Sequence, residues 1–289
     1  MHFVKAKGIL SAKGGMNLYR GCTHGCIYCD SRSNCYNMNH DFEDVEVKEN
    51  AIELLDEALS KRREKCMIGM GSMTDPYIPL ENELGYTRRA LETIHKHGFG
   101  ATLITKSDLV LKDIDILKKI NESTKCVVQI TLTAADDNLS KIIEPGVCTT
   151  KRRAEVLRIL HDEGIPSVVW LSPVLPFITD TKRNINSLMD LCIEAKVKGI
   201  ICFGMGLTLR DGNREYFYKK LDRYFPGMKI RYIHHYKDSY NLLSKNNKEL
   251  MNLFYQRCKE NNIESNVDTN FAYLNKFESK YRAEQLSLF

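Results

Sequence analysis

Three cysteines, Cys22, Cys26 and Cys29, stand in the spacing C-x3-C-x2-C inside the stretch MNLYRGCTHGCIYCDSRSNCY, residues 16–36. Thiolate is the ligand that iron–sulfur clusters and zinc both favour. A structural zinc site needs four ligands and is closed. The chain has no second C-x2-C and no H-x3-H to complete such a set. Three thiols in one short loop suit a cubane of four irons, leaving one iron open to a substrate or cofactor. Two other readings remain: a zinc-bound, non-catalytic module, and three cysteines that are merely packed. Cys35, six residues past Cys29, is a further thiol that could serve as a ligand or a substrate contact, with simple packing the plainer reading.

The loop must be held by regular elements, and the chain alternates between strand and helix periods. Met16–Arg20 reads as a short strand leading into the loop. Further strands are expected over 66–71, 101–105, 126–133, 167–175 and 198–204, as continuous apolar runs typical of parallel strands covered on both faces. Helices are expected over 51–63, 87–97, 109–120, 150–163, 181–195, 215–224 and 249–261. Thr149 or Thr150 opens the fourth, and Gly164 closes it. The aromatic and charged last 25 or so residues read as a final helix. Six strand–helix units imply an α/β fold around a parallel sheet, either doubly wound or a partial barrel. Both place ligands at the carboxyl ends of the strands.

Polar residues recur at those ends: Ser72, Thr74 and Asp75 after the second strand, Lys106 after the third, Thr131 in the fourth, and Ser172 in the fifth. Hydroxyls and an acid suit a ribose, and a cation suits a carboxylate. The C-x3-C-x2-C loop, with Tyr28 before its third cysteine, resembles the signature loop of the radical S-adenosylmethionine (SAM) superfamily. The segments S-M-T-D-P-Y-x-P, T-R-x-A-L, T-K, E-P-G and P-V-x-P are similar to those of its spore photoproduct lyase-like branch, over about residues 14–205. The resemblance implies a partial (β/α)6 barrel over residues 1–207, with a [4Fe-4S] loop at 20–30; residues 208–289 read as a C-terminal helical extension covering it. It implies Cys22, Cys26 and Cys29 as cluster ligands, Thr74, Lys106, Thr131 and Ser172 as SAM contacts and Tyr28 beside the adenine; Ser72 and Asp75 join them on the strand-end reading. It also implies reductive cleavage of SAM to a 5′-deoxyadenosyl radical that abstracts hydrogen from a substrate, with an electron donor such as flavodoxin or ferredoxin.

One position departs from that branch. Its photoproduct lyases carry a hydrogen-donating cysteine three residues before the aspartate, where this chain has Ser72. A serine O–H bond is too strong to donate a hydrogen atom as a thiol does. Cys35 is then the nearest remaining thiol, a candidate catalytic quencher. The net charge of +5 is a mild surplus, well short of a dedicated nucleic-acid-binding composition. The KRR runs at 61–63 and 151–153 read as solvated helix faces. A small nucleobase-like substrate is therefore favoured over DNA repair or nucleic-acid modification. The chain is similar in size and composition to queuine lyases, which would make it a lyase cleaving a C–N or C–C bond and releasing a 7-deazaguanine precursor for tRNA queuosine salvage. On that reading Asp30, Glu43 and Asp211 would bind the base edge. The ten cysteines accompany no secretory leader, and no run reaches about 18 apolar residues, so a reduced cytoplasm and no membrane span are expected.

Overall fold

The computed structural model of the protein describes residues 1–280. Six strands form one sheet: β1 (Gly15–Met16), β2 (Met67–Met70), β3 (Gly100–Thr105), β4 (Cys126–Thr131), β5 (Ser167–Trp170) and β6 (Gly199–Ile201). They lie side by side in chain order, and every neighbouring pair is parallel. That order decides between the two expected topologies. A doubly wound sheet reverses direction at a switch point. A sheet built in one sense, with a helix after each strand, is that of a partial (β/α)6 barrel.

The connecting helices are Ala51–Lys61, Tyr86–Lys96, Ile114–Ser123, Thr150–Asp162 and Lys182–Glu194. Each turns an apolar stripe inward; in the first, Leu55 and Leu59 are fully buried. Thr149 caps the fourth helix by accepting from the Arg152 N–H, and Thr181 caps the fifth through the Asn184 N–H. All six residues of β4 are buried, as the continuous apolar reading required.

The expected strand over 16–20 is two pieces. Met16 pairs with Met70 in the barrel, whereas Tyr19 and Arg20 pair antiparallel with Val47 and Glu46. Asn17 marks the change. Its side-chain oxygen accepts from the Met73 and Thr74 N–H groups, and its carbonyl from the Lys48 ammonium. Strand Glu46–Lys48 also pairs in parallel with His2–Val4, completing a three-stranded sheet outside the barrel. The fifth strand is shorter than expected because Pro173 has no N–H to continue the ladder. The third helix begins with a 3-10 stretch, Asp108–Asp113.

Past β6 the chain makes a hairpin of Gly206–Thr208 with Asn241–Leu243, holding helices Asn213–Tyr224 and Met228–Tyr236 between its strands. The second of these helices was not expected from the sequence. Helix Asn247–Glu260 bonds to Lys182–Glu194 through Arg257, which donates to Asn186 and Asp190. Helix Val267–Asn275 lies beside β6, where the Glu264 carbonyl accepts from the Ile200 N–H at 2.8 Å. The expected final helix is present only over these nine residues, 276–280 being irregular, and residues 281–289 lie outside the described residues. No described helix is long and apolar enough to cross a membrane.

Candidate active site

The carboxyl ends of the strands open into a cavity of about 380 Å³. Cys22, Cys26 and Cys29 line one side. The loop that carries them turns through Gly21 and Gly25, both at positive φ. At Gly21 a side chain would strike the Phe42 carbonyl oxygen at 2.5 Å, so only glycine fits. That carbonyl accepts from the Cys22 N–H at 3.0 Å.

Each strand contributes to the wall. Gly71, Ser72, Met73 and Asp75 follow β2; Thr105 ends β3 and Lys106 follows it; Thr131 ends β4; Trp170 ends β5, with Ser172 and Pro173 beyond it; and Phe203 and Gly204 follow β6. The hairpin adds Leu207, Thr208, Asn241 and Leu243, so the C-terminal segment completes the cavity.

Asp75 organises the side next to Cys22. One carboxylate oxygen accepts from the Thr105 hydroxyl at 2.6 Å and the Tyr77 N–H at 2.9 Å, and the other from the Lys106 N–H at 2.8 Å. His24 Nδ1 lies 3.4 Å from it, and burial lowers the imidazole pKa against the pull of that carboxylate. The Lys106 ammonium is the cation of the wall. Burial alone would lower its pKa, but the negative charge of a Cys26 thiolate and of the Glu144 and Asp75 carboxylates outweighs it and holds the pKa above the usual lysine value.

Gly71 has φ +97°, and a Cβ there would meet the Ile104 carbonyl oxygen at 2.2 Å. Gly71→Ala is expected to destabilise the protein by about 2 kcal/mol or more, from backbone strain and overpacking together. The midpoint of chemical denaturation measures it.

Behind the cysteine loop lies a buried polar network. Glu144 and Arg153 are both fully buried and form an ion pair. The Tyr28 hydroxyl donates to Glu144, as does the Thr133 hydroxyl at 3.1 Å. Arg153 donates also to the Thr131 carbonyl at 2.7 Å and to the Ser140 hydroxyl at 3.0 Å. The tyrosine between Cys26 and Cys29 is thereby tied to the end of β4. Gly146, two residues on, packs against His24 so closely that a Cβ would lie 2.7 Å from the His24 carbonyl oxygen. The reading of residues 151–153 as a solvated helix face is therefore corrected. Lys151 is exposed, but Arg153 points inward to neutralise Glu144.

The donor set fits a cubane cluster better than a single ion. A tetrahedral zinc would draw three sulfurs to about 3.8 Å of one another, given Zn–S bonds of about 2.3 Å. Among the described residues, the three ligand atoms that come within 4.8 Å of one another belong to His2, His40 and Asp44, not to these cysteines. A cubane places each thiolate on a different iron and tolerates the wider spacing. Burial raises the thiol pKa of Cys22 to about 12 and pushes that of Cys26 higher still. Cationic iron is the kind of partner that would displace these protons.

The structure brings most of the expected residues together. Tyr28, Ser72, Asp75, Lys106, Thr131, Ser172 and Asp30 all line the cavity with the three cysteines. Four others are placed elsewhere. Thr74 is buried beside Asn17, facing a separate hollow with Tyr19, Arg20 and Phe42. Glu43 accepts from Arg32, whose guanidinium lies between the Phe42 and Tyr216 rings at 4.3 and 3.8 Å. Asp211 is exposed, its carbonyl accepting from the Asn34 N–H.

Cys35 is likewise outside the cavity wall, on the 3-10 turn Asn34–Tyr36, exposed and 3.4 Å from an Arg210 nitrogen. It is the one exposed thiol of the ten. Alkylation of the native protein is expected to label it first, checked by peptide mass spectrometry. Cys35→Ala is expected to change stability by no more than about 0.5 kcal/mol, the effect of an ordinary surface substitution, checked by chemical denaturation.

Sequence reasoning missed Trp170, Phe203 and Asn241. Trp170 donates its Nε1–H to Gln129 at 2.7 Å, and its ring lies 5.8 Å from that of Phe203. Phe203 is 60% exposed at the cavity wall. An apolar side chain just past an apolar strand carries no polar signal in the sequence.

Comparison with known proteins agrees with the cysteine loop and the strand order. The sequence profile of the Radical SAM superfamily matches residues 16–192. The chain belongs to the Radical SAM superfamily. It is 35% identical over 176 residues to an uncharacterized protein of Methanocaldococcus jannaschii, covering 60% of this chain and 65% of that one. It is 28% identical over 230 residues to an uncharacterized protein of Mycobacterium tuberculosis, covering 77% and 66%. The match thus spans about two thirds of the length of these relatives. A protein of Pseudomonas phage M6 named radical SAM Nalpha-GlyT isomerase is 25% identical over 58% of this chain and 34% of its own. Among solved structures, a cysteine-to-serine mutant of spore photoproduct lyase superposes with a TM-score of 0.63 at 12% identity, over 92% of this chain and 78% of that one. That likeness is one of fold.

Proposed function

We propose that this chain is a radical SAM enzyme acting on a small nucleobase-like substrate held between the cysteine loop and the hairpin of the C-terminal extension, residues 208–289. The observation that carries the reading is the single cavity whose wall holds three thiols on one side and hydroxyl, carboxylate and ammonium groups from the other strand ends. Cys22, Cys26 and Cys29 would hold a [4Fe-4S] cluster and leave one iron for SAM. When bound, these two groups supply a 5′-deoxyadenosyl radical able to abstract hydrogen from carbon.

The chain's own residues bind and orient. The Lys106 ammonium suits the SAM carboxylate, and the hydroxyls of Ser72, Thr131 and Ser172 suit its ribose and amino groups. Asp75 sets the Lys106 backbone by accepting its N–H. Phe203 and Trp170 offer an apolar face to a planar ring, and Asp30 and Asn241 offer acceptors and donors to its edge.

A lyase cleaving queuine is the finer form of this reading. Its support is the carboxylate of Asp30 in the cavity wall, suited to adjacent N–H donors of an aminopyrimidinone ring. Nucleic-acid substrates form the second reading, favoured by the fold shared with spore photoproduct lyase, one structure of which holds AdoMet and a dinucleoside spore photoproduct.

Reduced, cluster-loaded protein with SAM is the test, assayed with queuine, with other purine-like bases and with ultraviolet-damaged oligonucleotide. Base-dependent formation of 5′-deoxyadenosine together with a cleaved base supports the proposal. Turnover with the damaged oligonucleotide alone overturns the small-substrate reading.

A further inference from the structure

A second ligand set lies away from the cavity, on the three-stranded sheet that leads into the cysteine loop. One nitrogen each from His2 and His40 and one carboxylate oxygen of Asp44 lie within 4.8 Å of one another. His2 Nδ1 is 3.0 Å from an Asp44 oxygen, and the two imidazole rings are edge to face with centroids 4.8 Å apart.

His40 is poised as a ligand. Its Nδ1 lies 3.0 Å from the Asp41 carbonyl oxygen, which fixes Nδ1 as the protonated nitrogen and leaves the lone pair on Nε2. Nε2 is buried and has no hydrogen-bond partner. A ring held through one nitrogen by a backbone carbonyl, with the other nitrogen free, is the arrangement metal-ligating histidines adopt. An unpartnered buried acceptor beside a carboxylate is otherwise unfavourable. The other charged groups facing the set are the Met1 amino group, 2.9 Å from the second Asp44 oxygen, and Glu46, 3.7 Å from His40 Nε2.

We infer that His2, His40 and Asp44 form a binding site for a divalent cation of the zinc class. Two imidazoles and a carboxylate match the ligands of Zn(II), with a fourth position for water. Calcium and magnesium, which favour oxygen ligands, do not match. The ion would tie strand His2–Val4 to the loop over residues 37–45. Within that loop the Phe42 carbonyl accepts from the Cys22 N–H. The site would brace the backbone at the first loop cysteine from outside the barrel.

The test uses the full chain with the cluster reconstituted, so that the loop thiols are occupied, and adds cobalt(II) as a spectroscopic probe for zinc. About one extra cobalt per chain is expected, with visible bands of a four-coordinate ion. His40→Gln and Asp44→Asn should each weaken its binding at least about tenfold while leaving the iron content unchanged. Cobalt binding that is absent in the parent protein, or equally tight in both variants, overturns the inference. Should His40→Gln fail to fold, Asp44→Asn alone decides it, since that carboxylate is half exposed.

Discussion

Arg153→Met is expected to lower stability by about 3–5 kcal/mol, because it leaves the Glu144 carboxylate fully buried without its cation. The methionine restores much of the apolar volume, so the loss is electrostatic and falls on the network. The Tyr28 and Thr133 hydroxyls still donate to Glu144, but they do not carry a compensating charge. The effect should also reach the cysteine loop, since Tyr28 sits between Cys26 and Cys29 and is fixed by the same carboxylate. Cluster uptake should fall with stability, whereas Lys151→Met on the exposed face should leave both unchanged.

The pH dependence has a definite sign. Burial pushes the Glu144 pKa up, but Arg153 and Lys106 outweigh it and hold the pKa below the usual glutamate value. A depressed pKa stabilises the fold above the ordinary carboxylate range, and that contribution disappears as the pH falls through the depressed value. The deficit of Arg153→Met against the parent should therefore be largest near neutral pH and shrink as the pH falls below the ordinary carboxylate value of about 4.5 toward the depressed one. Urea denaturation at a series of pH values measures both numbers.

Cys26→Ser is expected to remove SAM cleavage by more than about 100-fold, beyond the 10–100-fold typical of losing a group outside the ligand shell. Cys26 is buried in the same apolar cluster as Ile27, Tyr28 and Leu207, and serine nearly preserves its volume. The fold should survive, and the lost activity should track lost iron. A variant that keeps full SAM cleavage would remove Cys26 from the ligand set.

Much of this site was legible because its signals are local. Three thiols at fixed spacing announce metal chemistry whatever the fold, and apolar runs between amphipathic stretches announce a parallel sheet. Strand ends were found by period, so Ser72, Lys106, Thr131 and Ser172 could be placed at one end of the barrel before their geometry was seen. Long-range placements were not legible. Arg153 reads as one of three basic residues on a helix, and its partner Glu144 lies nine positions away across a turn. Thr74 and Asp75 are neighbours, yet only Asp75 faces the cavity, because Asn17 holds the Thr74 backbone from the other side. Cys35 is close to the loop in sequence, but the 3-10 turn at Asn34–Tyr36 carries it to the surface. Phe203 and the hairpin reached the cavity through tertiary packing, which no local pattern encodes.

On the proposed function Cys22, Cys26 and Cys29 hold a four-iron cluster with one iron open to SAM. The most direct measurement is electron paramagnetic resonance of the anaerobically reconstituted, reduced protein before and after SAM is added, together with its iron and sulfide content. The expected result is about four irons and four sulfides per chain and a cluster signal that shifts on adding SAM. A single tetrahedral zinc at the cysteines, or a cluster signal that SAM leaves unchanged, would contradict it.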